Sequence, residues 1–499
     1  MNRSSGILLP VFSLPSPYGI GCFDSEAYRF VDFLSEAGQS YWQILPLGPT
    51  CYGDSPYQAF STFAGSPLYI SLEAFIEKGL LTREECNQAD LQASPHFVDY
   101  ERQYRHRYRL LRRAFEQSRE SMASELENFK NAHPHLGDYA FFAALKASHG
   151  GIPWYEWEDP LRQRDPQALD EARKQLRDEI AYHLFLQFHF HHQWQNLKAY
   201  ANGKGIRIIG DIPIYVAHDS ADVWTCPELF QLDENKRPTA VAGCPPDGFS
   251  PDGQLWGNPL YAWPYHAQTH FAWWCERLKH SFSLYDVVRI DHFRGFDEYF
   301  SIPYGAPDAH SGHWEKGPGM TLFSAVEAAL GHREIIVEDL GFMTESVRRL
   351  VKDTGFPNMK VIEFAFDARD TGGRGEHLPH NYGENCIAYT GTHDNQTLIS
   401  WLATITDAER DQVRGYLNDW YTPQHLLPKA LISLLMKSPA KLCIIPLQDY
   451  LGLDDEARIN TPSTSSGNWR WRVRAGSTNQ SLSREIKGLT ELYGRAPHN

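Results

Sequence analysis

Eight short runs rich in Ile, Val and Leu recur along the chain, and no other feature narrows its fold as far. They are Gly6–Val11, Tyr41–Leu47, Ile206–Ile212, Val287–Asp291, Glu334–Val337, Lys360–Ala365, Cys386–Thr390 and Leu442–Pro446. Most do not alternate apolar with polar residues, as parallel strands covered on both faces should not. Longer stretches of helical character separate them, so each strand would be followed by a crossover helix. Eight such units make a (β/α)8 barrel, or TIM barrel, of the α/β class. Barrels of this kind grow by insertion, so residues 1–499 are expected to form one domain.

Two stretches are too long to be simple crossovers. Glu101–Ala132 and Pro166–Ala201 carry charges on one side and Leu, Phe or Tyr on the other, the pattern of amphipathic helices. Residues of roughly 50–200 are therefore expected to form a largely helical subdomain. A second insertion, roughly 224–263, is rich in Pro, Gly, Asp and Trp and reads as an irregular lid loop. Loops this long in a compact fold are usually functional or disordered. The large aromatics in this one favour function.

The net charge is −15, from 47 Lys+Arg against 62 Asp+Glu, with no basic run or stripe. A polyanion such as nucleic acid is thus excluded as the main partner, and a neutral ligand fits better. No run of about 18 apolar residues occurs, so no membrane-spanning helix is expected. Met1-Asn2-Arg3-Ser4-Ser5-Gly6 lacks the apolar segment and cleavage site of a signal peptide. The eight cysteines form no C-x-x-C pair, which suits free thiols in a reducing compartment. A cytoplasmic location is expected. Aromatics make up 13% of the chain and serve equally a large core or stacking on sugar rings.

Barrel enzymes place their chemistry at the C-terminal ends of the strands. Three of the proposed strands end in acids there: the fourth at Asp291, the fifth at Glu338, and the seventh, through Gly391-Thr392-His393, at Asp394. One strand-end acid is ordinary, since it can cap the next helix or pair with a base. Three in this order need a shared reason. Arg289 stands two residues before Asp291, on the same side of the strand. Its cation favours the ionised carboxylate and suits Asp291 as a nucleophile. Glu338, sharing a cavity with two other acids, is pushed upward and suits a general acid. Retaining glycoside chemistry divides the labour this way, with the third acid, Asp394, left to bind hydroxyls and favour ring distortion. It predicts an Asp291–Glu338 carboxyl separation of about 5–5.5 Å, against about 6.5–9.5 Å for inversion.

At these residues the sequence resembles the α-amylase superfamily, and more closely the amylomaltases, the 4-α-glucanotransferases also called disproportionating enzymes. The likeness covers essentially the whole chain. It includes Asp54-Ser55-Pro56-Tyr57-Gln58, Gly210-Asp211-Ile212-Pro213-Ile214-Tyr215, Trp256-Gly257-Asn258-Pro259, Arg289-Ile290-Asp291-His292-Phe293-Arg294-Gly295, Glu338-Asp339-Leu340-Gly341, Gly391-Thr392-His393-Asp394-Asn395 and Ser466-Gly467-Asn468-Trp469. The resemblance implies transfer of a 1,4-α-glucan segment to the 4-hydroxyl of glucose or another glucan, without cofactor or metal. It implies Asp291 as nucleophile, Glu338 as acid/base and Asp394 as transition-state stabiliser. Arg289, His393 and Asp211 would hold the donor sugar, and Ser55, Tyr57, Trp256 and Asn460 would line the cleft. One position departs from the family: Gly248 stands where a Tyr usually precedes the Phe of the lid.

Other signals carry less. Phe188-His189-Phe190-His191-His192 looks metal-like, but on a helix His191 leaves the face that His189 and His192 share. Gly372-Gly373-Arg374-Gly375 lacks the Lys-Ser/Thr of a phosphate loop. A retaining α-glucan hydrolase and a glucan-binding protein with a dead site remain as alternatives. Water access separates the first from a transferase; the three intact acids argue against the second.

Overall fold

The computed structural model describes residues 3–497 apart from 247–249, 342, 368, 370–371 and 465. Its strands, in chain order, are β1 (Ser4–Leu8), β2 (Tyr41–Gln43), β3 (Arg207–Ile212), β4 (Ala240–Cys244), β5 (Gln254–Pro259), β6 (Val287–Ile290), β7 (Glu298–Pro303), β8 (His313–Lys316), β9 (Ile335–Val337), β10 (Asn358–Val361), β11 (Cys386–Tyr389) and β12 (Leu442–Pro446). Eight of them close into a barrel in the order β1-β12-β11-β10-β9-β6-β3-β2. Every neighbouring pair is parallel. Each of the eight apolar runs supplies one barrel strand.

The barrel interior is a packed core rather than a pore, as expected for eight strands. Leu8, Tyr41, Ile209, Val287, Ile336, Met359, Val361, Ile387, Tyr389, Leu442 and Ile444 pack together inside it, all nearly inaccessible. Each large apolar side chain so buried contributes about 1.5–3 kcal/mol. Gly6 lets the barrel close at β1, because a Cβ there would lie 2.6 Å from Tyr41 O and 2.7 Å from Ile444 Cδ1.

The stretch 50–200 is largely helical, with Tyr108–Ala132, Pro134–Ser148, Pro166–Gln175 and Arg177–Gly203 as its long helices. The last of these differs from the expectation of a single helix 166–201. The chain breaks at Leu176, and Arg177–Gly203 returns to the barrel wall as the outer helix between β2 and β3. Trp194 Nε1 donates to Leu284 O at 3.0 Å, and Tyr200 OH donates to Asp32 Oδ1 at 2.6 Å. On this helix His189 and His191 are buried against aromatic rings, and burial pushes them down to about 3 and about 4. They are neutral packing residues, while His192 is exposed.

The stretch 224–263 is not wholly irregular. It holds β4 and β5, which join β7 and β8 in an antiparallel sheet of order β5-β4-β7-β8. Proline and glycine between the two strands mask them in the sequence. The second partner of β4, β7, lies beyond Asp291, so local pattern does not reveal that pairing. Gly248 lies outside the described residues.

Candidate active site

Segments that follow the C-terminal ends of β2, β3, β6 and β11, with residues of 460–470 beyond β12, line one cleft of about 950 Å³. Of the residues expected at the site, Ser55, Tyr57, Trp256, Asp291, His393, Asp394 and Asn460 line it. Glu338 stands half-buried beside Asp291 at the neighbouring strand end. Asp211 and Arg289 lie beneath the lining, at 1% and 3% exposure.

Backbone pairing sets the floor. Asp291 N donates to Ile212 O and Glu338 N to Ile290 O, both at 3.0 Å, so β3, β6 and β9 deliver their ends in register. Arg289 Nη1 lies 2.6 Å from Asp211 Oδ2 and 3.0 Å from Asp291 Oδ1. Tyr57 OH donates to the same Asp211 oxygen at 2.9 Å, and its ring stacks on His393 with centroids 5.0 Å apart. One guanidinium thus serves two acids, of which only Asp291 opens to the cleft, with 29% of its side chain exposed against 0% for Asp211.

Glu338 is clamped from both sides. His292 N donates to Oε2 at 2.9 Å and Leu340 N to Oε1 at 2.6 Å. His292 adopts a left-handed backbone, φ 49° and ψ 49°, that costs a non-glycine residue about 1–2 kcal/mol. The turn it makes presents its N–H to the acid of the next strand. Its imidazole meets Trp256 edge-on at 4.8 Å, and burial pushes it down to about 3.

Asp394 is held by the loop that follows β12. Asn460 Nδ2 donates to Asp394 Oδ1 at 2.6 Å, and Asn460 N donates to His393 O at 3.0 Å. Arg458 donates to both Asp394 O and Asn460 O at 2.8 Å. His393 Nε2 lies 3.4 Å from Asp394 Oδ1.

The electrostatics correct the expectation for Asp291. Arg289 does favour its ionised form, but loss of hydration at the cleft floor is the larger influence, and the carboxyl rises to about 6. Glu338 rises further, to about 8, and burial is again the first cause. Repulsion from Asp291 comes second; Asp394 is not among the leading influences, contrary to the shared-cavity argument. The pair releases its protons in two steps, the one beside Arg289 first. Near neutral pH this leaves one carboxylate and one carboxylic acid side by side, the arrangement that acid-assisted displacement needs.

Sequence reasoning missed the backbone clamp on Glu338 and the Arg458 grip on Asp394. His292 and Leu340 contribute N–H groups, which leave no residue-type signal. Arg458 sits two residues before Asn460 and was readable only as part of that loop. Among the described residues, no group of three or more His, Cys, Asp or Glu side chains is arranged to hold a metal ion.

Known proteins share this architecture end to end. The family model described as 4-α-glucanotransferase matches residues 9–478. A 4-α-glucanotransferase of Thermus thermophilus is 45% identical over 509 residues, covering 99% of each chain. One of Clostridium butyricum is 44% identical over 491 residues, covering 97% of this chain and 99% of that one. The structure of Streptococcus agalactiae amylomaltase in complex with acarbose superposes with a TM-score of 0.96 at 40% identity, over 99% of this chain and 100% of that one. Because the match runs through every strand end that builds the cleft, the chain belongs to the 4-α-glucanotransferase, or amylomaltase, family.

Proposed function

We propose that this 4-α-glucanotransferase works by retaining double displacement, with Asp291 as nucleophile, Glu338 as acid/base and Asp394 as transition-state stabiliser. The carrying observation is the Arg289 fork. It pairs two acids and leaves only Asp291 open to the cleft, beside a Glu338 pushed above neutrality. In the first step an Asp291 oxygen attacks C1 of the donor glucosyl unit. The C1–O4 bond breaks as Glu338 gives its proton to the departing O4, leaving a glycosyl ester on Asp291. In the second, Glu338 takes the proton of an acceptor 4-hydroxyl, whose oxygen attacks C1 and releases the Asp291 carboxylate. Two inversions give net retention. Asp394, oriented by Asn460 and Arg458, holds sugar hydroxyls as positive charge builds on the ring.

Donors are 1,4-α-glucans, and acceptors are glucose or maltooligosaccharides, bound in the cleft that Ser55, Tyr57, Trp256 and Asn460 line. His393 lines the same cleft. Asp211 and Arg289 act from below by setting the charge and aim of Asp291 and Tyr57. We place the reaction in the cytoplasm, a reading supported by eight cysteines that are all free thiols. Among the described residues, no helix is long and apolar enough to cross a membrane.

Incubation with maltotriose tests the reading. Transfer yields glucose together with glucans both longer and shorter than the substrate, and Asp291→Asn abolishes turnover. Shortening alone, or full activity in Asp291→Asn, overturns the assignment. Denaturing the enzyme during turnover and finding a glycosyl ester at Asp291 tests the covalent step directly.

A further inference from the structure

Behind the turn that carries Asp394 lies a carboxyl that the proposed reaction does not use. Glu363 sits just after β10 on the short 3-10 turn Ile362–Phe364 and is 9% exposed. Its Oε2 accepts from Asn395 Nδ2 at 3.1 Å. Asn395 Oδ1, on the same side chain, accepts from Thr392 N at 2.9 Å and Thr392 Oγ1 at 2.8 Å. Thr392 Oγ1 in turn accepts from Asp394 N at 3.2 Å. Hydrogen bonds therefore run unbroken from Glu363 to the backbone of Asp394.

Packing closes the same contact. A Cβ added at Gly391 would lie 2.8 Å from Glu363 Oε1 and 3.0 Å from Asn395 Cβ, so the carboxyl rests directly on the turn. Glu363 N also reaches Thr390 O at 3.4 Å, joining the ends of β10 and β11. From the cleft side, Asn460 and Arg458 grip Asp394 independently. The catalytic acid is thus held between two supports from different strand ends.

We propose that Glu363 is a positioning residue for glucan transfer, holding Asn395 and through it the turn that aims Asp394 into the cleft. The inference rests on the reading of Asp394 as the transition-state acid. The groups around Glu363 are Asn395 from the loop after β11, Asp449 from the turn after β12, and Asp455 and Arg458 from the segment beyond. Burial and Asp449 push the carboxyl well above the usual range, against the Asn395 hydrogen bond and the Arg458 cation. Among the described residues its Oε1 is buried without a hydrogen-bond partner, a poor setting for a full negative charge. The Oε2 acceptance from Asn395 needs an oxygen and not a charge, so a glutamine of the same shape can hold the turn in its place.

The test measures kcat and KM for maltotriose disproportionation in Glu363→Ala, Glu363→Gln, Asn395→Ala, the Glu363→Ala/Asn395→Ala double variant and Asp394→Ala. Glu363→Ala is expected to lose about tenfold or more in kcat with KM within about threefold, because Asp394 acts in the transition state. Glu363→Gln is expected to stay within about threefold of wild type in kcat. The double variant loses no more than the worse single one, since both changes break one chain of bonds. Wild-type kcat in Glu363→Ala, a loss confined to KM, or a Glu363→Gln as poor as Glu363→Ala overturns the proposal. If Glu363→Ala does not fold, as read by circular dichroism, Asn395→Ala decides alone: lost kcat at constant KM supports the proposal, and wild-type kcat refutes it. Activity surviving in Asp394→Ala sinks the reading of Asp394 itself. A dead Asp394→Ala beside a fully active Glu363→Ala sinks only the inference about Glu363.

Discussion

Replacing Asp211 by Asn is expected to lower stability while moving the acid side of the pH profile downward. Asp211 Oδ2 takes both Arg289 Nη1 and Tyr57 OH, and its side chain has no exposure. The same guanidinium nitrogen reaches Asp291 Oδ1. The two acceptor oxygens are therefore no more than about 5.6 Å apart, where unit charges repel by about 3 kcal/mol at an effective dielectric near 20. That repulsion is worth about two pKa units. The amide dipole left in Asn and the water in the cleft reduce it, so a shift of about one unit is expected. Asp291 stands at about 6 in the wild type, raised in part by Asp211. Without that charge, and with Arg289 turned wholly to Asp291, its carboxyl ionises at lower pH. Losing one partner of a buried pair costs about 3–5 kcal/mol when the other is stranded. Arg289 keeps Asp291, so about 2 kcal/mol is expected here. The assay is the pH dependence of kcat/KM for glucose release from maltotriose, which reports the free enzyme, with urea unfolding alongside. An acid limb that stays in place or moves upward refutes the reasoning.

Wild-type kcat/KM is expected to be bell-shaped, limited on the acid side by Asp291 near 6 and on the alkaline side by Glu338 near 8. Both folded-state values are raised, so ionisation disfavours the fold as pH climbs from the unfolded carboxyl range toward them. Glu338→Gln removes one of these charges; its melting temperature should exceed that of the wild type at pH 8 and match it below about pH 4. Asn460→Ala deletes the 2.6 Å bond to Asp394 and should lower kcat by about tenfold or more with little change in KM, as read in maltotriose kinetics. Arg277 is 2% exposed and donates to Ile214 O at 3.0 Å and to Pro213 O and Tyr261 OH, bracing a wall of the cleft. Arg277→Met strands these acceptors and should cost about 2–4 kcal/mol in urea unfolding and raise KM.

Strand-end chemistry was legible because both of its components are local. A buried parallel strand must be apolar for its whole length, and an acid that ends it stands out, as at Val337-Glu338 and Ile290-Asp291. The three acids and the eight strands are thus visible without coordinates. The break at Leu176 was not, because Pro166–Gln175 and Arg177–Gly203 share one amphipathic rhythm across it. Nor was the sheet of β4, β5, β7 and β8, whose central pair β4–β7 joins residues on either side of the Asp291 turn.

The sequence by itself determined the barrel, the order of its strands along the chain, and which carboxylates stand at their ends, since these depend on residue type and spacing. Only the tertiary structure decided how those carboxylates are held and which neighbours surround them. It drew Asp211 under the floor to share Arg289 with Asp291. It turned His292 to clamp Glu338, and brought Asn460 and Glu363 to opposite sides of the Asp394 turn. It also reversed the expected direction of the shift at Asp291. A neighbouring cation can be read from a two-residue spacing. Hydration lost to the whole surrounding fold is a sum over contacts distant in sequence, and at Asp291 that sum is the larger quantity.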